Sequence, residues 1–178
     1  MVPVELVGNA LCLDFTNTVN ARPVAGRDWL ATTKEAVTWA DATGHPLEEL
    51  GDLAEARDFR EAVFRVFQPL AHGGQVPQGD LDRILAVYGE GVTRGQLDSH
   101  EGNFRLEWSP PRTIQVLVWE VAASAVELLT HGPLDRLGEC PSCCWLFLDV
   151  SKNRRRRWCS MTTCGSRDKS RRYYAGHS

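Results

Sequence analysis

Five of the six cysteines in this chain fall between positions 140 and 164: Cys140, Cys143, Cys144, Cys159 and Cys164. Taken through Cys143 they read C-x2-C-x15-C-x4-C. Two thiols separated by two residues in a tight turn can face one ion, and a short segment can bring a second pair round to complete a tetrahedron. The spacing therefore predicts a closed, structural Zn2+ site, one ion held by Cys140, Cys143, Cys159 and Cys164. Four thiolates leave no open position for chemistry. Routing the chain through Cys144 gives the looser C-x3-C-x14-C, so Cys144 reads as a bystander. Cys12, in Leu11-Cys12-Leu13, reads as a core residue. His45, His72, His100, His131 and His177 are scattered among loop residues and read as surface or cap histidines.

Charge is segregated in the same way. Residues 1–150 carry 11 Lys/Arg against 22 Asp/Glu, whereas 151–178 carry 9 Lys/Arg and the single acid Asp168. An acidic body of net −11 thus ends in a basic tail of net +8, although the whole chain is only −3. Such asymmetry points to a polyanion partner. At 178 residues there is room for one domain with a small appendage, and 43% apolar residues suit a globular chain. No uninterrupted apolar run reaches the ~18–20 residues of a membrane span, so no membrane partner is expected. The start lacks the basic and apolar regions of a secretory signal, so a reducing cytoplasm is the expected compartment.

The hydrophobic periodicity predicts helices over about 9–20, 33–42, 50–71, 79–90 and 109–130. Thr32-Thr33-Lys34-Glu35 resembles a capping box, and Ser109-Pro110-Pro111 would open the last of these helices with proline in its first turn. Phe104, Leu106 and Trp108 alternate with charged residues as in a half-buried strand. Gln96–Ser99 is the expected partner strand, joined through Glu101-Gly102-Asn103. The fold class is thus mainly α with one β-hairpin over 1–133, followed by a small treble-clef-like zinc finger over 134–178. In that finger Trp145 to Asp149 reads as a strand, 160–175 as a helix, and Trp145, Phe147 and Trp158 as a mini-core. Residues 1–133 are expected to bury a core of their own.

The basic residues flank the second cysteine pair. Arg154, Arg155 and Arg156 precede it, and Arg167, Lys169, Arg171 and Arg172 follow. A positive helix framed by a positive loop suits phosphate contact, so these seven are the candidate nucleic-acid-binding residues. Arg157 and Arg167, beside zinc ligands, are also candidates for fold residues. DNA is the expected partner, with RNA or an acidic protein as the alternatives. There is no phosphate loop, nucleophile elbow or open metal site, so no enzyme is expected. Asp14 and Asn17, polar within an apolar segment, read as buried hydrogen-bonding groups, or alternatively as part of a ligand pocket. No residue names the ligand, the DNA sequence or an oligomeric state.

The stretch from Cys140-Pro141-Ser142-Cys143 through Val150-Ser151-Lys152-Asn153, with Arg157-Trp158-Cys159 and Cys164-Gly165-Ser166-Arg167, resembles the CGNR zinc-finger family. Leu13-Asp14-Phe15-Thr16-Asn17-Thr18 is similar to the helical ABATE domain that precedes that finger. Together the two cover nearly the whole chain. The resemblance implies a mostly bacterial, stress-induced transcription regulator. The family tetrad is Cys-Gly-Asn-Arg, and here Ser166 stands in the Asn place. Serine can cap a helix as Asn does, but it cannot make the bidentate amide pairing with adenine.

Overall fold

The computed structural model describes residues 3–20, 22 and 26–175, with residues 171–174 described by their backbone alone. His177 lies outside the described residues. The helices are α1 (Leu11–Thr16), α2 (Thr33–Thr43), α3 (Leu53–Leu70), α4 (Gln78–Arg94), α5 (Ile114–His131) and α6 (Ser166–Ala175). The strands are β1 (Gln96–His100), β2 (Asn103–Glu107), β3 (Leu137–Glu139) and β4 (Leu146–Leu148).

The core is built on α5. Its Ile114, Leu117, Val118, Val121, Ala122, Ala125 and Leu128 are buried together with Phe15, Trp39, Phe59, Val63 and Phe67 from α1, α2 and α3. α5 has the length and apolar composition of a membrane span. Glu120 and Glu127 interrupt it, however, and nine of its residues are buried in the protein core. Side-chain caps set several helix starts. Thr32 accepts from the Glu35 N–H, as in the expected capping box, but Glu35 answers by accepting from the Thr32 hydroxyl instead of the Thr32 N–H. Asp52 caps α3. α5 begins later than proline placement predicts: Thr113 is its N-cap, accepting from Val116 N–H, and Pro110 and Pro111 precede it. α4 runs on to Arg94, and within it Gly91 fits beneath Trp119; a Cβ there would lie 2.8 Å from that side chain.

Two sequence expectations change. The first helix is much shorter than 9–20, because Thr16 and Thr18 hydroxyls bond back to the carbonyls of Leu13 and Phe15 and the chain turns away. Val19 then bridges Asp28 instead. The hairpin forms with the turn Glu101-Gly102, both at positive φ (+47° and +86°), as a two-residue hairpin turn requires. It is not half-buried, however: Leu97 and Phe104 are 67% and 70% exposed, and only Leu106 leans on the Trp108–Trp119 pair. A two-stranded ribbon at the edge of the molecule has no second layer to cover its apolar face.

The cysteine module is welded to the helices by β4. This strand pairs antiparallel with β3, Leu137↔Leu148 and Glu139↔Leu146. Strand alternation then sends Leu146 and Leu148 into the helical core, with Leu137, while Trp145 and Phe147 pack on the cysteines. β3 escaped the sequence reading because three residues, one of them Gly138, carry no periodicity. That glycine lets the Phe147 ring lie close; its Cβ would sit 3.0 Å from the ring. The core expected to be complete within 1–133 therefore includes three leucines from beyond that boundary.

Candidate metal centre

Each pair of cysteines is presented by a local turn. Cys140 N–H donates to Trp145 O and Cys144 N–H donates to Cys140 O, closing the segment between β3 and β4 into a knuckle. Cys144, just past the second thiol, has φ +60°, the left-handed conformation that lets the chain reverse. Cys159 follows the basic loop. Cys164 sits in a π-helical turn, Met161–Gly165, that leads directly into α6 and is capped by Ser160. Met161 lies over Gly165, where a Cβ would meet its sulfur at 3.1 Å.

These turns bring Cys140, Cys143, Cys159 and Cys164 together, all buried, with their sulfurs within 4.8 Å of one another. Cys143 Sγ and Cys164 Sγ each lie 3.5 Å from Cys159 Sγ. Zinc–sulfur bonds of about 2.3 Å place the sulfurs of a tetrahedral site about 3.8 Å apart, so the cluster has the dimensions of a zinc centre and not of disulfides. Hydrogen bonds from Cys143 and Cys159 hold the Cys140 thiol far below its ordinary range, and the same bonds to Cys140 drive the Cys143 and Cys159 thiols up. Without a cation among them the Cys140 thiolate keeps its neighbours protonated, and a cation is what would let all four ionise together. Cys144 is partly exposed and apart from the cluster; burial raises its thiol. Cys12 is fully buried in the core, and burial pushes its thiol up to about 12.

Around the sulfurs, Trp145, Phe147 and Trp158 form the expected mini-core. The indole N–H of Trp145 donates to Val19 O at 2.7 Å, so even this module-facing side chain holds the helical domain. The polar pair in the first helix does the same. Asn17, 3% exposed, spends its amide on the backbone of Leu146. Asp14 accepts from Gly8 N–H, and burial raises its carboxyl. Both side chains are thus engaged in hydrogen bonds within the fold.

The candidate nucleic-acid residues separate into distinct environments. Arg156 is a fold residue: its guanidinium donates to the carbonyls of Val7, Leu148, Trp158 and Cys159 and stacks 4.3 Å from the Phe147 ring centre. Arg154 is exposed but paired with Asp135 at 2.8 Å. Arg157 lies over Trp158, 4.9 Å from the ring centre. Arg155, Arg167 and Lys169 are exposed, as is Lys152. Arg171 and Arg172 continue α6, and their side chains lie outside the described residues. Asp149 escaped the sequence reading. Its carboxylate accepts from Ser151 N–H and Arg156 N–H, both at 2.8 Å, and a hydrogen bond from the Ser151 side chain, with these backbone bonds, holds it below its usual pKa. It thereby fixes the bend of the whole basic loop. The Asp-x-Ser spacing after a strand was the signal for this Asx turn.

A protein-family comparison matches residues 9–132 to ABATE, described as "Putative stress-induced transcription regulator". The chain belongs to the ABATE family. Residues 136–177 match the CGNR zinc finger, so the four clustered cysteines are those of a zinc-binding module. No curated protein matches the chain. Within the ABATE–CGNR pairing, Ser166 takes the place of the tetrad's Asn at the first residue of α6. It is exposed, and its hydroxyl donates back to Met161 O at 3.1 Å. It therefore finishes the turn that carries Cys164.

Proposed function

We propose that this ABATE protein is a zinc-dependent transcription regulator that binds duplex DNA through its CGNR finger, with the helical domain as its signal-receiving part. One zinc ion, held by Cys140, Cys143, Cys159 and Cys164, would supply structural energy and no catalysis, because four thiolates saturate it. The observation that carries the reading is the placement of exposed cations around the second cysteine pair. Lys152 and Arg155 stand on the loop before it, and Arg167 and Lys169 stand on the helix after it. In this treble-clef-like arrangement the start of α6 is tied to the metal site, so the helix projects at a fixed angle while the loop flanks it. That geometry suits a helix in a groove and a loop on the phosphates. The acidic remainder of the chain, net −11, would disfavour any other face toward DNA. A cytoplasmic, stress-responsive role in a bacterium accompanies the reading.

Titration of the zinc-loaded chain with duplex DNA across ionic strength tests it. A steep fall of affinity with salt and a preference for duplex over RNA support the reading. Absence of duplex affinity at ~50 mM salt, in folded and zinc-loaded protein, overturns it. High-salt binding to a single acidic protein would instead identify an adaptor.

A further inference from the structure

The first turn of α6 carries an exposed guanidinium among hydroxyls. Thr162, Thr163, Ser166, Arg167 and Ser170 line an open groove there. Ser166 and Ser170 lie one helical turn apart, and Arg167 is three residues from Ser170, so these three share one face of α6. The donors around Arg167 are committed within the fold. The π-helical turn runs directly into α6, so the Gly165 N–H donates to Ser160 O and the Ser166 N–H to Thr163 O. The Ser166 hydroxyl donates to Met161 O and the Ser170 hydroxyl to Ser166 O, both at 3.1 Å. With their protons engaged, both serine oxygens have only lone pairs left for a partner. Arg167 supplies the opposite. It is exposed, and among the described residues it meets no ionic or hydrogen-bonding partner. Arg154 and Arg156, by contrast, are already paired.

A phosphate accepts hydrogen bonds and cannot donate them, so it would face serine lone pairs here, and the Ser166 N–H is not left for it as at an ordinary helix start. A base edge carries acceptors and donors together. Across the major groove a G·C pair presents the guanine N7 and O6 acceptors and then the cytosine N4 amine, whereas A·T presents acceptor, donor, acceptor. Two parallel guanidinium N–H groups beside serine oxygens match the first order and not the second. We propose that Arg167, with Ser166 and Ser170, is the base-reading set of this protein and recognises a G·C pair in the major groove. Arg167 donates to guanine N7 and O6, and the serine oxygens accept from the cytosine amine of that pair or its neighbour. Lys169, on the other flank of Ser166, and Lys152 and Arg155 on the loop are left for the phosphates. The inference rests on the DNA-binding reading above and adds which duplexes the finger prefers and which side chain decides it. A guanidinium in the groove still displaces counterions, so sequence preference, and not salt dependence, reveals the role of Arg167.

Selection from a randomised duplex library by the zinc-loaded full chain finds the preferred site, and affinities for single-pair variants of that site test the proposal. The site should contain a G·C pair whose change to A·T weakens binding roughly tenfold or more. Replacing that guanine by 7-deazaguanine, which removes the N7 acceptor and leaves every phosphate in place, should weaken the parent several-fold. Arg167→Gln should lose both effects while keeping its zinc and its melting temperature. Ser170→Ala should narrow the preference for G·C over A·T and leave the salt slope unchanged; an unaltered preference there would remove the serines from the set. Equal affinity for all duplexes, an A·T preference, indifference to 7-deazaguanine, or a parent-like preference in Arg167→Gln would overturn the proposal and leave duplex binding standing. Absence of any duplex affinity would overturn both.

Discussion

Asn17 and Leu146 are joined as two strands would be. The Asn17 side-chain amide donates to Leu146 O at 2.8 Å, and its oxygen accepts from Leu146 N–H at 2.9 Å. One buried side chain thus satisfies both polar groups of a residue in β4 that has the helical core on one side and the cysteines on the other. Replacing Asn17 by Ala leaves a buried N–H and a buried C=O unpaired, at about 1–3 kcal/mol each. We expect Asn17→Ala to lower unfolding free energy by about 2–4 kcal/mol and Asn17→Asp to cost at least as much, since a carboxylate cannot donate to the carbonyl. Denaturant unfolding of zinc-loaded protein measures this; a loss under about 0.5 kcal/mol would show that the staple carries little.

The same weld sets the response to metal removal. Cys159→Ser should lose the metal, because its sulfur lies 3.5 Å from those of both Cys143 and Cys164. β4 then loses its anchor on one face while Leu146 and Leu148 remain committed to the helical core on the other. Chelation should therefore lower the thermal midpoint of the helical signal as well as unfold the finger. Helices that melt at an unchanged temperature after chelation would mean that 1–133 is self-sufficient.

Cys144 offers the opposite case. It is no part of the sulfur cluster, and its φ of +60° costs a side-chain-bearing residue about 1 kcal/mol that glycine escapes. Cys144→Gly should retain full zinc and be stabilised by up to about 1 kcal/mol. Metal analysis with thermal melting decides; reduced zinc in this variant would make Cys144 a ligand.

What the sequence made legible follows from how local each signal is. The four thiols were readable because ligand spacing is set by a turn and a loop, both of which are local. The α2 capping box was readable for the same reason. The depth of the hairpin was not, because alternation in Phe104 and Leu106 says which residues share a face and nothing about what covers it. Arg156 was taken for a phosphate contact because charge and neighbourhood look alike in a run of four arginines. Its role comes from carbonyls of Val7 and Leu148 that only the folded chain brings to it. Asn17 was placed in the right class, a buried hydrogen-bonding group, but its partner lies 129 residues away.

Asp14 yields a pH test with a defined sign. Burial raises its carboxyl, so ionisation costs the folded state stability at pH values above that raised pKa. Asn at this position keeps an oxygen to accept from Gly8 N–H without the charge. Asp14→Asn should be more stable than the parent at neutral pH. The advantage should shrink as pH falls through the folded pKa, where the parent carboxyl takes up its proton. Urea unfolding across pH measures it, and a less stable variant at neutral pH would show that the Asp14 charge is used, with Arg156 as a cation that favours it.

Arg155 and Arg156 are adjacent in sequence and should behave as opposites. Arg155 is exposed, whereas Arg156 is half-buried, and burial depresses its pKa even though it remains charged. If Lys152, Arg155, Arg167, Lys169, Arg171 and Arg172 each neutralise one phosphate, log affinity for duplex DNA should fall against log salt with a slope of about −5.4. Arg155→Ala should flatten that slope by about 0.9, equally for all DNA sequences, and leave the melting temperature in place. Arg156→Ala should instead cost about 2–3 kcal/mol of stability, since four carbonyls lose their shared donor and Phe147 loses its stacked cation. Measured below its lowered melting temperature, it should keep the parent's salt slope. Arg156→Lys should not restore stability, because a single ammonium cannot reach the carbonyls that a forked guanidinium spans. A flattened slope in Arg156→Ala with stability unchanged would return that residue to the DNA-facing set.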